Sequence, residues 1–449
     1  LPENMQQPAG FFNTPRTLQT FYDITTRTYM QADFSKYVSG FLGSHDIKIG
    51  GGVQKNVNKV DVSYPGGGYV FVYWNTPLQL NDGTSDRGQY GYYEVHDYGT
   101  RGTTGGNIQN LYVQDHWRVR PNLSITLGLR TERENVPSFV RSIRDNAFSF
   151  SFSQKMSPRL GVSWDVTGQG KLKVYGSYGR YYDWVKYETS RGTFGGDIWH
   201  TFYRSLDTLD VFSLSGTNMP GRNIWNEGPF EDRRSPSFDA VASNLKPMST
   251  DLYNAGVEYQ IAPSTVLRAG YVRNHLVRTI EDLGVLVNGN ETYVFANPGE
   301  GDAKKFAVST ATPVFDTPKP QRDYDALELS INKRFSNRFF ASANYVYSRL
   351  YGNYAGLGNS DEIRTPTTGV SSATTQQSGG SIARPGSTGS RAWDLDQYLF
   401  DSHGNFVYGR LATDRPHVFN ASRSYKFKWG TDIGGFYYAG SGTPMSTVV

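Results

Sequence analysis

The sequence predicts an all-β fold, a transmembrane antiparallel β-barrel with short turns at one end and long loops at the other. Three observations carry this expectation. Large apolar residues alternate with polar and charged ones along paired stretches, five or six short turns join the members of each pair, and long polar connections follow the second member. Strands with one face in lipid and the other in water show this pattern. Between Tyr324 and Arg334, Leu327, Leu329 and Ile331 fall on one face and Glu328, Ser330, Asn332 and Arg334 on the other, because successive strand side chains point to opposite sides.

The pairs follow one another along the chain. Thr26 to Ser39 and Asp46 to Val60 flank Gly40 to Ser44, and Ile108 to Val119 and Ser124 to Asn135 flank Arg120 to Leu123. Lys155 to Thr167 and Lys171 to Trp184 flank Gly168 to Gly170, and Asp251 to Ile261 and Val266 to Ile280 flank Ala262 to Thr265. Tyr324 to Tyr351 turns at Ser336 to Arg338, and Pro416 to Phe427 pairs with Thr431 to Gly440. Each member reaches the ~9–11 residues that a tilted strand needs to cross the hydrocarbon layer, which gives about twelve spanning strands. Asp115, between Val113 and Trp117, and Arg423, between Ala421 and Tyr425, put a charge on the apolar face. A bulge or a place near the headgroups would accommodate each.

Residues 61–106, 136–154, 185–250, 281–323 and 352–415 read as surface loops rich in Gly, Ser, Thr, Asp and Pro. Tyr69 to Trp74 and Gln89 to His96 read as a hairpin within the first, and Thr365 to Arg391 as a mobile stretch. A soluble β-sandwich or adhesin alternates as well as a barrel does. Strand length, the short/long rhythm and an aromatic girdle at Trp117, Trp164, Tyr181, Tyr182, Trp184, Tyr259 and Trp429 favour the membrane.

The 449 residues include 31 Tyr, 26 Phe, 49 Gly and no Cys, with no compositional boundary that would divide them into domains. A mean hydropathy of −0.53 goes with the lack of any window near the roughly 18 apolar residues of a spanning helix. The formal charge of +4 comes without a basic run interleaved with aromatics, so nothing points to nucleic acid. The seven His are scattered, and neither Gly66-Gly67-Gly68 nor Gly379-Gly380 has the setting of a phosphate loop. No catalytic constellation and no cofactor motif results.

Several stretches resemble TonB-dependent receptors of the Oar-like type: Leu111-Tyr112-Val113-Gln114-Asp115-His116-Trp117-Arg118-Val119 running into Pro121-Asn122-Leu123, Ser157-Pro158-Arg159-Leu160-Gly161, and Lys173-Val174-Tyr175-Gly176-Ser177-Tyr178-Gly179. Leu411 to Phe419 and Tyr438 to Pro444 continue the series in the same order. The resemblance implies a plugged barrel of about 22 strands in the outer membrane, coupled through a TonB box to an energised inner-membrane complex. The expected partners are outer-membrane lipid, the TonB complex, an unidentified ligand and a surface protein partner. The chain itself would form one part of that barrel, with plug, TonB box and closing strands outside it.

Arg130, Glu132, Arg159, Asp165, Glu258, Arg268, Glu328 and Arg334 are the expected lumen-facing residues, because charge against lipid is prohibitive. Pairing with one another across strands is expected ahead of substrate contact. Trp199, Phe202, Tyr203, Trp225, Trp393 and Tyr398 are the loop aromatics expected either to stack on a ligand or to pack the loops together. Asp394, Asp396, Asp401 and Asn405 form an oxygen-rich group that could hold Ca²⁺, with an Asx-turn as the plainer alternative. The function expected is energised uptake of a large or scarce ligand. The alternatives are a surface receptor or export protein whose loops bind a polypeptide, and a soluble carbohydrate-binding β-protein.

Overall fold

Alternation and turn chemistry produce one long antiparallel meander. A computed structural model describes residues 11–12, 20–40, 42–185, 190, 194–233, 240–287, 290–306, 315–354, 403–411 and 413–444. Its twelve long strands are β1 (Thr20–Ser39), β2 (Ser44–Ser63), β3 (Gly91–Arg120), β4 (Leu123–Pro137), β5 (Met156–Asp165) and β6 (Leu172–Tyr182), then β7 (Ser249–Ala262), β8 (Thr265–Arg278), β9 (Arg322–Ser336), β10 (Phe339–Gly352), β11 (His417–Lys426) and β12 (Asp432–Gly440). Each pairs antiparallel with the next, from β1 to β12. The sequence-predicted strands are recovered: β5, β6, β8, β11 and β12 come out slightly shorter than expected and the others longer, β3 by far the most.

Register fixes the two faces. Leu267 sits opposite Ile331, Ala269 opposite Leu329 and Tyr271 opposite Leu327, while Leu160 meets both Leu127 and Tyr178. Leu160 is 46%, Leu267 40% and Leu329 43% exposed. A sandwich would have buried that face under a second sheet; here it is left for lipid.

The short turns have the backbone that tight hairpins demand. Asn337 and Arg338 both lie at positive φ, 52° and 66°, as the two central residues of a type I′ turn must. Near the turns, Trp117 donates its indole N–H to the Leu42 carbonyl at 2.9 Å, and Trp429 is 74% exposed, as an interfacial ring can be. Register runs unbroken through Asp115 and Arg423, so neither sits on a bulge. Both are placed by their closeness to a short turn, and Asp115 is held by His45 at 2.7 Å.

The first connection contains the expected hairpin, Tyr69–Trp74 pairing antiparallel with Gly91 to His96, and departs from expectation in its second arm. Gln89 to His96 is not a separate strand: Gly91 opens β3, which runs 30 residues without interruption. Tyr69–Trp74 pairs with its upper end, and Asp197–Ser205 pairs along Tyr92 to Thr100. Parts of the expected loops are therefore a folded cap. The stretch Thr365 to Arg391 lies outside the described residues.

Candidate functional site: the polar wall and the cap above it

The polar face of the sheet is built on rows of cross-strand neighbours. In one, Lys173, Glu258, Arg268 and Ser330 follow one another from β6 to β9. Lys173 approaches Glu258 at 3.4 Å and Arg268 approaches Glu328 at 3.4 Å. Arg268 also donates its Nε–H to the Tyr175 hydroxyl at 2.8 Å, under a guanidinium that lies 5.7 Å from the ring centroid. The Tyr175 ring covers Gly256, where an added Cβ would fall 2.4 Å from the hydroxyl oxygen. Glycine is needed there so that the ring can lie flat along the wall.

Other predicted wall residues are handled differently. Arg130 pairs with Glu132 on its own strand at 2.8 Å, and Glu132 also accepts the Trp184 indole N–H at 2.9 Å. The Arg159 guanidinium stands 5.0 Å from the Tyr181 ring centroid. Asp165 accepts the Gly170 amide at 2.6 Å and the Thr167 hydroxyl at 2.9 Å; it closes a turn. Arg334 donates to the Pro263 carbonyl of the neighbouring turn at 3.1 Å. Glu258, Arg268 and Glu328 thus come together, Arg130 and Glu132 form a second group, and Asp165 and Arg334 sit at the short-turn rim.

Sequence reasoning missed a further polar group on β1 to β3. Gln31 donates to Asp33 at 2.8 Å and to the Tyr112 hydroxyl at 3.2 Å, and Lys48 reaches Asp33 at 3.4 Å. Tyr112 lies over Gly50 as Tyr175 lies over Gly256. Polar residues two apart on one face, opposite glycine, were the available signal. It also missed Lys155 and Glu134, an ion pair with side chains 0% and 2% exposed. Lys155 donates to the Asp183 carbonyl at 3.0 Å as well, and the Val185 amide donates to Glu134 at 2.9 Å.

The cap has apolar cores of its own. Val70, Val72, Tyr93, Val95, Leu206, Val211 and Leu214 pack on one side of the extended hairpin. Leu78, Tyr92, Tyr203, Ile224 and Trp225 form another cluster. The Tyr203 and Trp225 rings stack at 5.1 Å. Burial, and then the Glu231 carboxylate to which it donates, push the Tyr203 phenol well above the ordinary tyrosine range. Trp199 stacks on Tyr98 at 5.1 Å and Phe202 packs on Phe230, both partly exposed. A third core of Val136, Phe148, Phe150, Val185, Phe194, Met248, Ile280 and Phe295 ties together the long-loop ends of β4, β6, β7 and β8. Trp393, Tyr398, Asp394, Asp396 and Asp401 lie outside the described residues; Asn405 is exposed. Among the described residues no group of three acidic, His or Cys side chains could hold a metal ion.

The family model for the outer membrane beta barrel domain matches residues 6–437. The TonB-dependent transporter Oar of Myxococcus xanthus is 27% identical over 364 residues, which cover 75% of this chain and 32% of that protein. Among solved structures, the siderophore receptor PiuA of Acinetobacter baumannii is similar at 11% identity and a TM-score of 0.46, over 93% of this chain and 46% of that one. The outer membrane transporter YddB of Escherichia coli is similar at 12% identity and a TM-score of 0.44, over 90% and 40%. The chain thus spans about a third of the curated relative's length and under half of these structures. With an uncovered apolar face, a polar wall and a match along nearly its whole length, the chain belongs to the outer membrane beta barrel domain family and resides in the bacterial outer membrane.

Proposed function

We propose that the chain forms about half of the wall and part of the extracellular surface of an energised transporter that takes up a ligand too large or scarce for porins. The similarity to the TonB-dependent transporter Oar over 364 residues carries this reading. The polar wall supports it: its charges are largely paired with one another, along one strand or across two, so it could line a lumen against a separate plug without stranding charge. In this reading the plug, the TonB box and the remaining strands belong to the same protein and lie outside the 449 residues. The short turns face the periplasm and the cap faces outward, as the loop lengths of such barrels require. In this reading the partly exposed Trp199 and Phe202 are the aromatics that meet a ligand, a role their exposure supports, while Tyr203 and Trp225 hold the cap together.

Deleting the TonB box of the full protein tests the proposal. Uptake is abolished while surface binding persists, because the cap is untouched. Unchanged uptake would sink the transporter reading. It would leave a surface receptor or export protein that binds a polypeptide, which the folded cores of the cap also support.

A further inference from the structure

Arg423 lies on the lipid face of β11, between Ala421 and Tyr425, and is exposed. Its cross-strand neighbours are Ala341 and Gly435, too small to screen it. Among the described residues its side chain has no hydrogen-bond or ion-pair partner. A guanidinium facing lipid is costly at the midplane and tolerated near the interface, which fits its place close to the turn after Lys426. The other cation in the same row, Lys333, is occupied: its ammonium donates to the Ser336 hydroxyl at 2.8 Å and to the Ser336 and Phe339 carbonyls at 3.1 and 3.0 Å.

Toward the midplane from Arg423, the same face dips into a groove of about 420 Å³. Ala269 and Ala343 make the depression, and Leu329, Ile331, Tyr345 and Phe419 wall it. Ala343 sits opposite Ala421, so the groove ends one side-chain step, about 6.6 Å, from the row of Arg423. Ala341, Ala421 and Gly435 keep the way between them open. The rim below adds Arg338, Lys426 and Lys428, and the carboxylate there, Asp432, stands opposite Lys426.

We propose that this face of β8 to β12 is a binding site for an anionic phospholipid of the leaflet on the short-turn side, Arg423 taking the phosphate and the groove an acyl chain. Charge complementarity selects the occupant. A guanidinium offers a planar, bidentate set of donors to phosphate oxygens, and an apolar slot leading away from it fits the chain of the same molecule. A free phosphate would leave the groove unused, and a neutral lipid would leave the arginine without a counter-charge.

The full-length protein in nanodiscs of mixed phosphatidylglycerol and phosphatidylethanolamine provides the test, with lipids retained after gentle release counted by native mass spectrometry. Arg423→Gln lowers retained phosphatidylglycerol about fivefold, while Arg423→Lys keeps most of it. Ala343→Phe fills the groove and lowers phosphatidylglycerol with the charge intact, so the proposal stays testable if the arginine variant folds poorly. Retention unchanged in both Arg423→Gln and Ala343→Phe overturns the site, as does equal loss of the two lipids in both variants. The outcome is independent of transport, because it depends only on residence in the outer membrane.

Discussion

Lys155 and Glu134 form an ion pair shut off from water at the long-loop end of the barrel, each also bonded to the backbone of the segment that follows β6. The pair pins β4, the start of β5 and the Asp183–Val185 segment together just where the apolar core of Val136, Phe150 and Val185 begins. Removing one partner leaves the other charged and buried, which costs about 3–5 kcal/mol. Lys155→Met should lower stability by that amount, and Lys155→Met with Glu134→Leu should recover most of it. Urea titration of folding into lipid vesicles measures both; a single variant as stable as the parent contradicts the assigned burial.

The register of β9 predicts opposite consequences for adjacent positions. Leu329 points outward, opposite Ala269 and Tyr345, and Ser330 points inward, opposite Arg268 and Asn344. Leu329→Arg should cost about 2–4 kcal/mol near the midplane and Ser330→Arg much less. Equal costs in reversible bilayer folding would shift the strand by one residue.

Gly256 is the seat of the Tyr175 ring, and a larger side chain there collides with the ring and hydroxyl. Gly256→Val should destabilise by about 1–3 kcal/mol through overpacking. Adding Tyr175→Ala should relieve that part of the loss, since the obstruction is then gone. A double-mutant cycle with no coupling would remove the close contact from the account.

Topology is open to chemical labelling. Thr217 is exposed in the cap and Gln169 is exposed in the short turn after β5. On intact cells, a cysteine at Thr217 should react with an impermeant maleimide and one at Gln169 should not. Labelling at Gln169 alone would invert the assignment.

Acid should loosen one fixed point of the cap. The Asp207 carboxylate accepts the Ser205 hydroxyl at 2.6 Å and the Gln89 amide at 2.8 Å, and these two bonds, in that order, hold it below the usual carboxylate range. A depressed folded value means that the contribution is present above the unfolded value of about 3.9 and is lost as pH falls through the lower folded one. Exchange at the Gln89 amide, corrected for intrinsic rates, should rise in that acid window, and Asp207→Asn should show the rise already at neutral pH. Protection unaffected by acid in the parent protein would refute the link.

The strands were legible because a two-residue period and short turns leave a direct mark on sequence. The upper half of β3 was not, because Gly99, Gly102, Gly105 and Gly106 imitate a loop. At Gly99 and Gly105 the glycine serves close backbone approach: an added Cβ would lie 2.2 Å from the Val62 carbonyl oxygen and 2.1 Å from that of Asn56. The polar wall was half legible, since alternation assigns a face and leaves the partner unspecified. Thus Arg268 found Glu328 across strands, whereas Arg130 found Glu132 along one. Tyr203 and Trp225 show the remaining limit: an aromatic in a polar connection looks the same whether it waits for a ligand or is stacked in a core.

The unbroken run of β3 has a mechanical consequence. Thirty residues at about 3.3 Å each make a rod far longer than the hydrocarbon layer, clamped along its lower part by β2 and β4 and along its upper part by Tyr69–Trp74 and Asp197–Ser205. No hinge interrupts it between the membrane and the tip. A push on the outer tip is therefore carried down the rod into the wall. This part of the sheet behaves as a stiff mast, and any bending must take place elsewhere.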